Sequence, residues 1–293
     1  MRKDKRFDYS MESPDYRCYN TYMIIGVDIG GTKTYLACFA QNGKLLKEIR
    51  FETNRNYQEF LADLTKHAKT IETSKAKVAC AAIPGLLDRR RGVVLSLGNL
   101  PWKDQYIKHD LAEALRLEKI FIENDSKLAG LAEARYVSES YKRVLYITIS
   151  TGIGGALVIN GKLAQEVIDA EIGKMPLVHE GKVVDWEDFA SGRAFFDKYQ
   201  QKAVDVTDES IWKEFSQYLN QGIGAVCATF QPEVIIFGGG MGQHLNRFEK
   251  FITPYLKTNL HSIVRQPKAL LSTHYRGQSV IYGCYEYAKD HIN

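Results

Sequence analysis

Met23-Ile24-Ile25-Gly26-Val27-Asp28-Ile29-Gly30-Gly31-Thr32-Lys33-Thr34 is the stretch that decides the fold. Its apolar run, residues 23–27, reads as a buried strand that ends at Asp28 and is followed by two glycines. Small residues let backbone N–H groups come close to an anion, and Thr32 and Lys33 add a hydroxyl and a positive charge. Residues 35–40 are apolar again, and Asn42-Gly43 is a hairpin signal leading into a third strand over 45–51. The glycine loop therefore joins two strands. That excludes the phosphate loops that run from a strand into a helix and carry G-x-x-x-x-G-K-[ST] or G-x-G-x-x-G. An aspartate at a strand end beside such a hairpin can hold a metal bound to a nucleotide; a tight turn that merely needs glycine explains the same residues.

The 293 residues around this stretch are enough for two domains with cores of their own. A hydrophobic fraction of 45% and a charged fraction of 25% are those of an ordinary soluble globular protein. A formal net charge of +4 is too small and too scattered to point to nucleic acid, and Arg89-Arg90-Arg91 reads as a solvated turn. No apolar segment reaches the length of a membrane span, and the charged N-terminus lacks the apolar core of a signal peptide. Cys18, Cys38, Cys80, Cys227 and Cys284 lie far apart with no C-x-x-C pair. Neither a zinc knuckle nor a disulfide framework fits, and a reduced cytoplasm is expected. Residues 1–22, polar and aromatic without periodicity, read as an extension outside the fold, too short for a helix-turn-helix domain.

After the opening hairpins, residues 57–71 carry Phe60, Leu61, Leu64, His67, Ala68 and Ile71 on one helical face, with His67 read as a helix-surface or half-buried residue and not a ligand, and 77–83 is a short strand closed by Pro84-Gly85. A strand over 93–97, a helix from about 104 to 115 and a strand over 119–123 follow, the pattern of a mixed α/β sheet. That last strand ends at Asn124-Asp125-Ser126, where a helix begins at once. A carboxylate at such a junction is either a helix cap or a general base at the mouth of a cleft. Residues 143–149 form another strand, followed by Ser150-Thr151-Gly152-Ile153-Gly154-Gly155 and a strand over 156–159 that Asn160-Gly161 turns back. This second strand–glycine–strand unit repeats the first and suggests a duplication with a nucleotide between the halves. Residues 165–192 read as irregular, 207–230 as a long helix, and 233–237 as a buried strand running into Gly238-Gly239-Gly240-Met241-Gly242 and a helix from about 244. Glycines there let a flat ligand such as adenine pass close to the backbone. A helix beyond Gly277 ends the chain.

Asp28-Ile29-Gly30-Gly31-Thr32-Lys33, Glu123-Asn124-Asp125, Thr151-Gly152-Ile153-Gly154-Gly155 and Phe237-Gly238-Gly239-Gly240, in that order, resemble the ROK family of sugar kinases and related repressors. The resemblance runs from residue 23 to the C-terminus. It implies the actin-like ATPase (ribonuclease H-like) fold: two α/β domains, each with a mixed five-stranded sheet, around a cleft. The implied division is a small domain at 23–122 plus 278–293, with the last helix returning to it, and a large domain at 123–277.

The activity so implied is ATP-dependent transfer of a phosphoryl group to a hydroxyl of a hexose or N-acetylhexosamine, typically the 6-hydroxyl. Position by position, Asp125 is the expected general base. Gly30, Gly31, Thr32 and Lys33 are expected to face the transferring phosphate, as are Thr151 and Gly152 from the other domain. Gly239 and Gly240 would flank adenosine, and Asp28 would hold Mg²⁺ through water. Gly85, Asn99, Asn124, Asp125, Glu171 and Glu187 are the expected sugar contacts, since carboxylates and amides pair with vicinal hydroxyls. A homodimer is expected, with sugar and nucleotide as ligands and neither nucleic acid nor membrane as partner.

Two departures stand out. The family pattern Glu-x-Gly-His, whose histidine helps bind zinc, here ends in Lys174, and the zinc cysteines that normally follow are absent. No zinc site is therefore expected, as in the compact branch that includes polyphosphate-using glucokinases. Lys174 is left with several roles: a hydroxyl, a carboxylate or a phosphate as partner, or solvent. Ser150 stands where the family usually has glycine. The rival readings are a sugar-sensing protein with weak catalysis, a polyphosphate-using glucokinase, and another kind of actin-like ATPase.

Overall fold

The architecture is that of a computed structural model, which describes residues 22–292. The expected extension over 1–22 lies outside these residues, Tyr22 excepted. The apolar run of the opening stretch forms β1 (Met23–Ile29), which pairs antiparallel with β2 (Lys33–Ala40), and β2 with β3 (Leu45–Glu52). The glycine loop closes the first hairpin tightly, with Ile29 opposite Thr34 and the Gly30 N–H donating to the Lys33 carbonyl at 2.9 Å. Next come α1 (Tyr57–Thr70), capped by the Asn56 side chain, and β4 (Ala76–Ile83), parallel to β1. A small sheet of β5 (Leu86–Asp88), β6 (Val93–Ser96) and β7 (Lys103–Gln105) leads through α2 (Ile107–Leu115) to β8 (Ile120–Asn124), parallel to β4. The first sheet thus has the order β3-β2-β1-β4-β8.

The chain then crosses through α3 (Asp125–Tyr136) into β9 (Arg143–Ile149), β10 (Ile153–Ile159) and β11 (Lys162–Leu163). After a hairpin of β12 (Pro176–His179) and β13 (Lys182–Asp185) come α4 (Trp186–Ala190), α5 (Gly192–Tyr199) and α6 (Glu209–Phe230). Strand β14 (Val234–Gly238), the single turn α7 (Gly239–Gly242), α8 (Leu245–Asn259), β15 (Ala269–Ser272) and α9 (Ser279–Asp290) complete it. The second sheet has the order β11-β10-β9-β14-β15. Both sheets consist of two antiparallel pairings followed by two parallel ones. The repetition read from the glycine hairpins therefore extends to whole sheets.

Burial sorts these elements into layers. Leu64 and Phe60 of α1 and Leu111 of α2 cover one face of the first sheet, and Ile281 and Cys284 of α9 cover the other. Ala129 and Leu131 of α3 lie on the second sheet, whose far face is covered by Trp186 of α4, Phe215 of α6 and Phe248 of α8. Helices α3 and α9 are therefore the shared middle layer. A Cβ on Gly283 of α9 would overlap the Leu128 carbonyl of α3, so the two axes approach closely only because that position is bare.

Three local readings change. Residues 165–192 are not irregular: β12 and β13 pair around Glu180-Gly181, both at positive φ. Glutamate in place of the usual asparagine hid that turn, and the exposed strands show no core alternation. Residue 104 lies in a strand, not a helix, and α2 starts only at Ile107. Arg89 does turn with its neighbours but its side chain folds inward onto Glu123. Among the described residues no helix is long and apolar enough to cross a membrane, and Cys38, Cys80, Cys227 and Cys284 are free and buried.

Candidate active site

Strand β8 and helix α3 meet at Glu123-Asn124-Asp125, and this junction opens on a cavity of about 380 Å³. Its wall contains Gly85, Asn99, Asn124, Asp125, Glu171 and Glu187, the expected sugar contacts, together with Lys174. Thr148, Ser150, Gly152, Ile153 and Gly154 bring the second glycine hairpin to the same cavity. A second cavity, of about 500 Å³, lies beyond the hairpin tip and shares Ser150 with the first. Its walls are Thr151, Gly240, Met241 and His244 with Phe195, Phe196, Ala203 and Val204, and Arg193 and Lys202 are its cations. One space is lined with carboxylates and amides, the other with aromatic and aliphatic carbon, and the hairpin tip divides them.

The cap and the candidate base fall on different residues. Asn124 is the cap of α3: its Oδ1 accepts the Ser126 N–H at 3.0 Å and the Ser126 hydroxyl at 2.6 Å, while its Nδ2 lies 3.5 Å from the Gly85 carbonyl. Asp125, relieved of that duty, uses Oδ1 to accept the Ser126 N–H at 2.7 Å. Burial pushes its carboxyl above the usual carboxylate range, against the opposing pull of that hydrogen bond and of the Lys127 charge. Asp28, at the end of β1, is pushed up to about 7, first by burial and then by the charge of Asp125. The charge of Asp125, at the start of α3, is thus felt at Asp28, at the end of β1.

The first hairpin tip lines neither cavity directly. It reaches the first through Gly31, where a Cβ would lie 2.7 Å from that of Asn99. Thr32 and Lys33 are exposed at the tip, and in the third glycine loop Gly240, not Gly239, reaches the second cavity. The other end of the first cavity is held by ion pairs. Lys174 Nζ lies 2.7 Å from Glu187 and 3.0 Å from Asp185, and Glu187 Oε2 accepts the Ile153 N–H at 2.9 Å. A Cβ on Gly152 would lie 2.5 Å from that same oxygen, so glycine is needed for the carboxylate to reach the hairpin. Glu187 thus braces the hairpin through Oε2, while Oε1 pairs with Lys174, and the residue stands in the cavity wall. Lys174 is more than half exposed but not free, since both carboxylates pair with it.

The family resemblance implies a Mg²⁺ ion. Among the described residues no three His, Cys, Asp or Glu side chains form a cage for a metal. Asp28 beside Asp125 does offer hard oxygen donors at a hairpin tip. That suits Mg²⁺, which keeps much of its water and is carried on phosphate oxygens.

Sequence reasoning did not find the cations behind the junction. Arg89 donates to both oxygens of buried Glu123, through Nε at 2.8 and 3.0 Å, and pairs with Asp169. Lys127 is buried two residues after Asp125. The apolar wall of the second cavity was missed too. It comes from α5 and the turn after it, in the segment expected to be irregular or left unassigned.

A sequence model described as ROK family matches residues 24–290. The N-acetyl-D-glucosamine kinase of Histophilus somni (strain 129Pt) is 31% identical over 263 residues, covering 75% of this chain and 84% of that protein. A crystal structure of a ROK family glucokinase from Streptomyces griseus in complex with glucose and AMPPNP superposes with a TM-score of 0.74 at 21% identity. That match covers 92% of this chain and 99% of the other. A ROK family transcriptional regulator, homolog of the E. coli MLC protein, superposes with a TM-score of 0.78 at 18% identity, over 92% of this chain and 78% of its own. The two solved structures speak to fold alone, and kinases and regulators share it.

Proposed function

We propose, from the premise that the chain belongs to the ROK family and has its actin-like ATPase fold, that it is a sugar kinase transferring the terminal phosphoryl group of ATP to a hydroxyl of a hexose or N-acetylhexosamine. The observation that carries this reading is Asp125, standing in the wall of a polar cavity that a glycine hairpin separates from an apolar one. A sugar in the first cavity places its hydroxyl near a carboxylate whose other oxygen is already held by Ser126. A base ring fits the second, between the aromatic side chains of α5 and Gly240.

The chemistry then divides among these residues. Asp125 Oδ2 accepts the proton of the attacking hydroxyl, which leaves the oxygen free to displace the nucleoside diphosphate. The amides of the two hairpins surround the transferring phosphate, the first through Gly30 and Gly31 and the second through Thr151 and Gly152. Asp28 would hold Mg²⁺ through its water, and the ion would supply neutralisation of phosphate charge. Asn99 and Glu171 fix the sugar, and its register against Asp125 sets which hydroxyl reacts.

The test is a coupled assay with glucose, N-acetylglucosamine, N-acetylmannosamine and fructose, each with ATP and with polyphosphate. Turnover on at least one sugar is expected, with ATP preferred because the apolar cavity has no use in a polyphosphate donor. Asp125→Asn, nearly the same shape, is expected to lower kcat by about 10²- to 10⁴-fold with sugar affinity kept. Sugar binding without turnover on any of the four would overturn the kinase in favour of a sensor, and activity within a few-fold in Asp125→Asn would remove the base.

A further inference from the structure

We infer that Lys127 is a positioning residue of the acceptor site, a buried ammonium that ties the helix bearing Asp125 to the loop bearing Glu171. Its side chain is 3% exposed, and its Nζ donates to the Gly155 carbonyl of β10 and to the Ala170 carbonyl, both at 2.7 Å. The Glu171 carboxylate lies 3.8 Å away. Three structural elements, α3, the second hairpin and the loop before residue 172, meet on one atom.

The placement is costly on two counts. An ammonium taken out of water loses hydration that two neutral carbonyls replace only partly, and burial accordingly pulls its pKa below the usual lysine range. It also sits in the first turn of α3, where the helix dipole disfavours positive charge. A core position needing only bulk would be filled by leucine or methionine without either penalty. The carbonyls it holds belong to residues whose neighbours line the sugar cavity: Gly155 follows Gly154, and Ala170 precedes Glu171. Glu171 itself is half exposed, and Lys127 is its ion-pair partner. Without the ammonium, the loop loses its hydrogen bond to the α3 side chain and the carboxylate loses its ion-pair partner. The charged groups around Nζ are Glu171, Glu123, Asp125 and Arg89, so the lysine closes an alternating array running from the solvent-facing Asp169–Arg89 pair to the cavity wall.

This inference rests on the kinase reading for its kinetic test but not for its structural one. In the full chain, Lys127→Met keeps the length and removes the donors, and Glu171→Gln removes the counter-charge. Lys127→Met is expected to raise the sugar KM by about 10-fold or more, with kcat and the nucleotide KM changed less than about 3-fold. The double variant is expected to be little worse than either single one, because both changes break one linkage. Fully multiplicative effects, or a fall in kcat with the sugar KM unchanged, would overturn it. Amide hydrogen exchange over residues 165–171 needs no turnover: faster exchange in Lys127→Met supports the anchor even if no sugar is phosphorylated, and unchanged exchange refutes it. If Lys127→Met does not fold, Lys127→Gln, which retains one shorter donor, takes its place in both measurements.

Discussion

At the scale of single residues, two aspartates dominate the electrostatics of the cleft. Asp28 is raised to about 7 from an ordinary 3.8 because burial and the Asp125 charge both oppose its ionisation. The folded protein therefore holds a proton there that the unfolded chain releases. Its contribution to stability is complete below about 3.8 and is lost as the pH rises through about 7. For nucleotide-free protein without divalent ions, the expected loss between these limits is on the order of 2–4 kcal/mol. Denaturant titrations at pH 4.5 to 8 check this: Asp28→Asn is expected to flatten the slope, and parallel wild-type and variant curves would show that Asp28 titrates normally. Asp125 was legible as a candidate from its place at a strand–helix junction. Its separation from the cap was not, since Asn124 and Asp125 are equally good caps on paper and only the helix geometry assigns the duty.

At the scale of elements, the hairpin of β12 and β13 shows what replaces a cross-link at the edge of the site. The Met175 carbonyl accepts the Trp186 N–H at 2.9 Å, and Lys174 pairs with Asp185 and Glu187 across the same neck. Lys174 is more than half exposed, so solvent screens this network and its share of stability is no more than about 1 kcal/mol. Lys174→Met should therefore lower Tm only slightly, and 0.5 M salt should reduce the difference further. Incubation with a zinc chelator is expected to leave Tm unchanged; a marked drop would mean a bound metal. The second glycine hairpin, Ile149 opposite Ile153, could be read from its residues alone because a tight turn is local chemistry. The Lys174 network could not, because it depends on a hairpin whose turn carries glutamate at positive φ.

At the scale of the whole molecule, two sheets of the same order share one layer of two helices, so any change in the angle between the sheets is felt where α3 crosses α9. That crossing depends on Gly283, which packs against the Leu128 backbone, while Gly130, where a Cβ would lie 2.5 Å from that of Ala156 of β10, lets α3 sit close on the second sheet. Gly283→Ala is expected to cost about 1–3 kcal/mol by overpacking, read as a lower midpoint in urea with an unchanged slope. No loss of stability would mean that the helices separate freely. The chain alone determined the long strands of the two sheets, the two glycine hairpins, the junction at Asp125 and the family, because each rests on residues close together in sequence and on local rules of burial, turn and cap. Tertiary structure alone decided that Lys127 is inside, that Arg89 turns onto buried Glu123, that Glu187 braces a hairpin, and that α5 walls a second cavity. Those facts depend on which distant segments meet, and a charged side chain reads the same in sequence whether it ends in water or against a buried carbonyl.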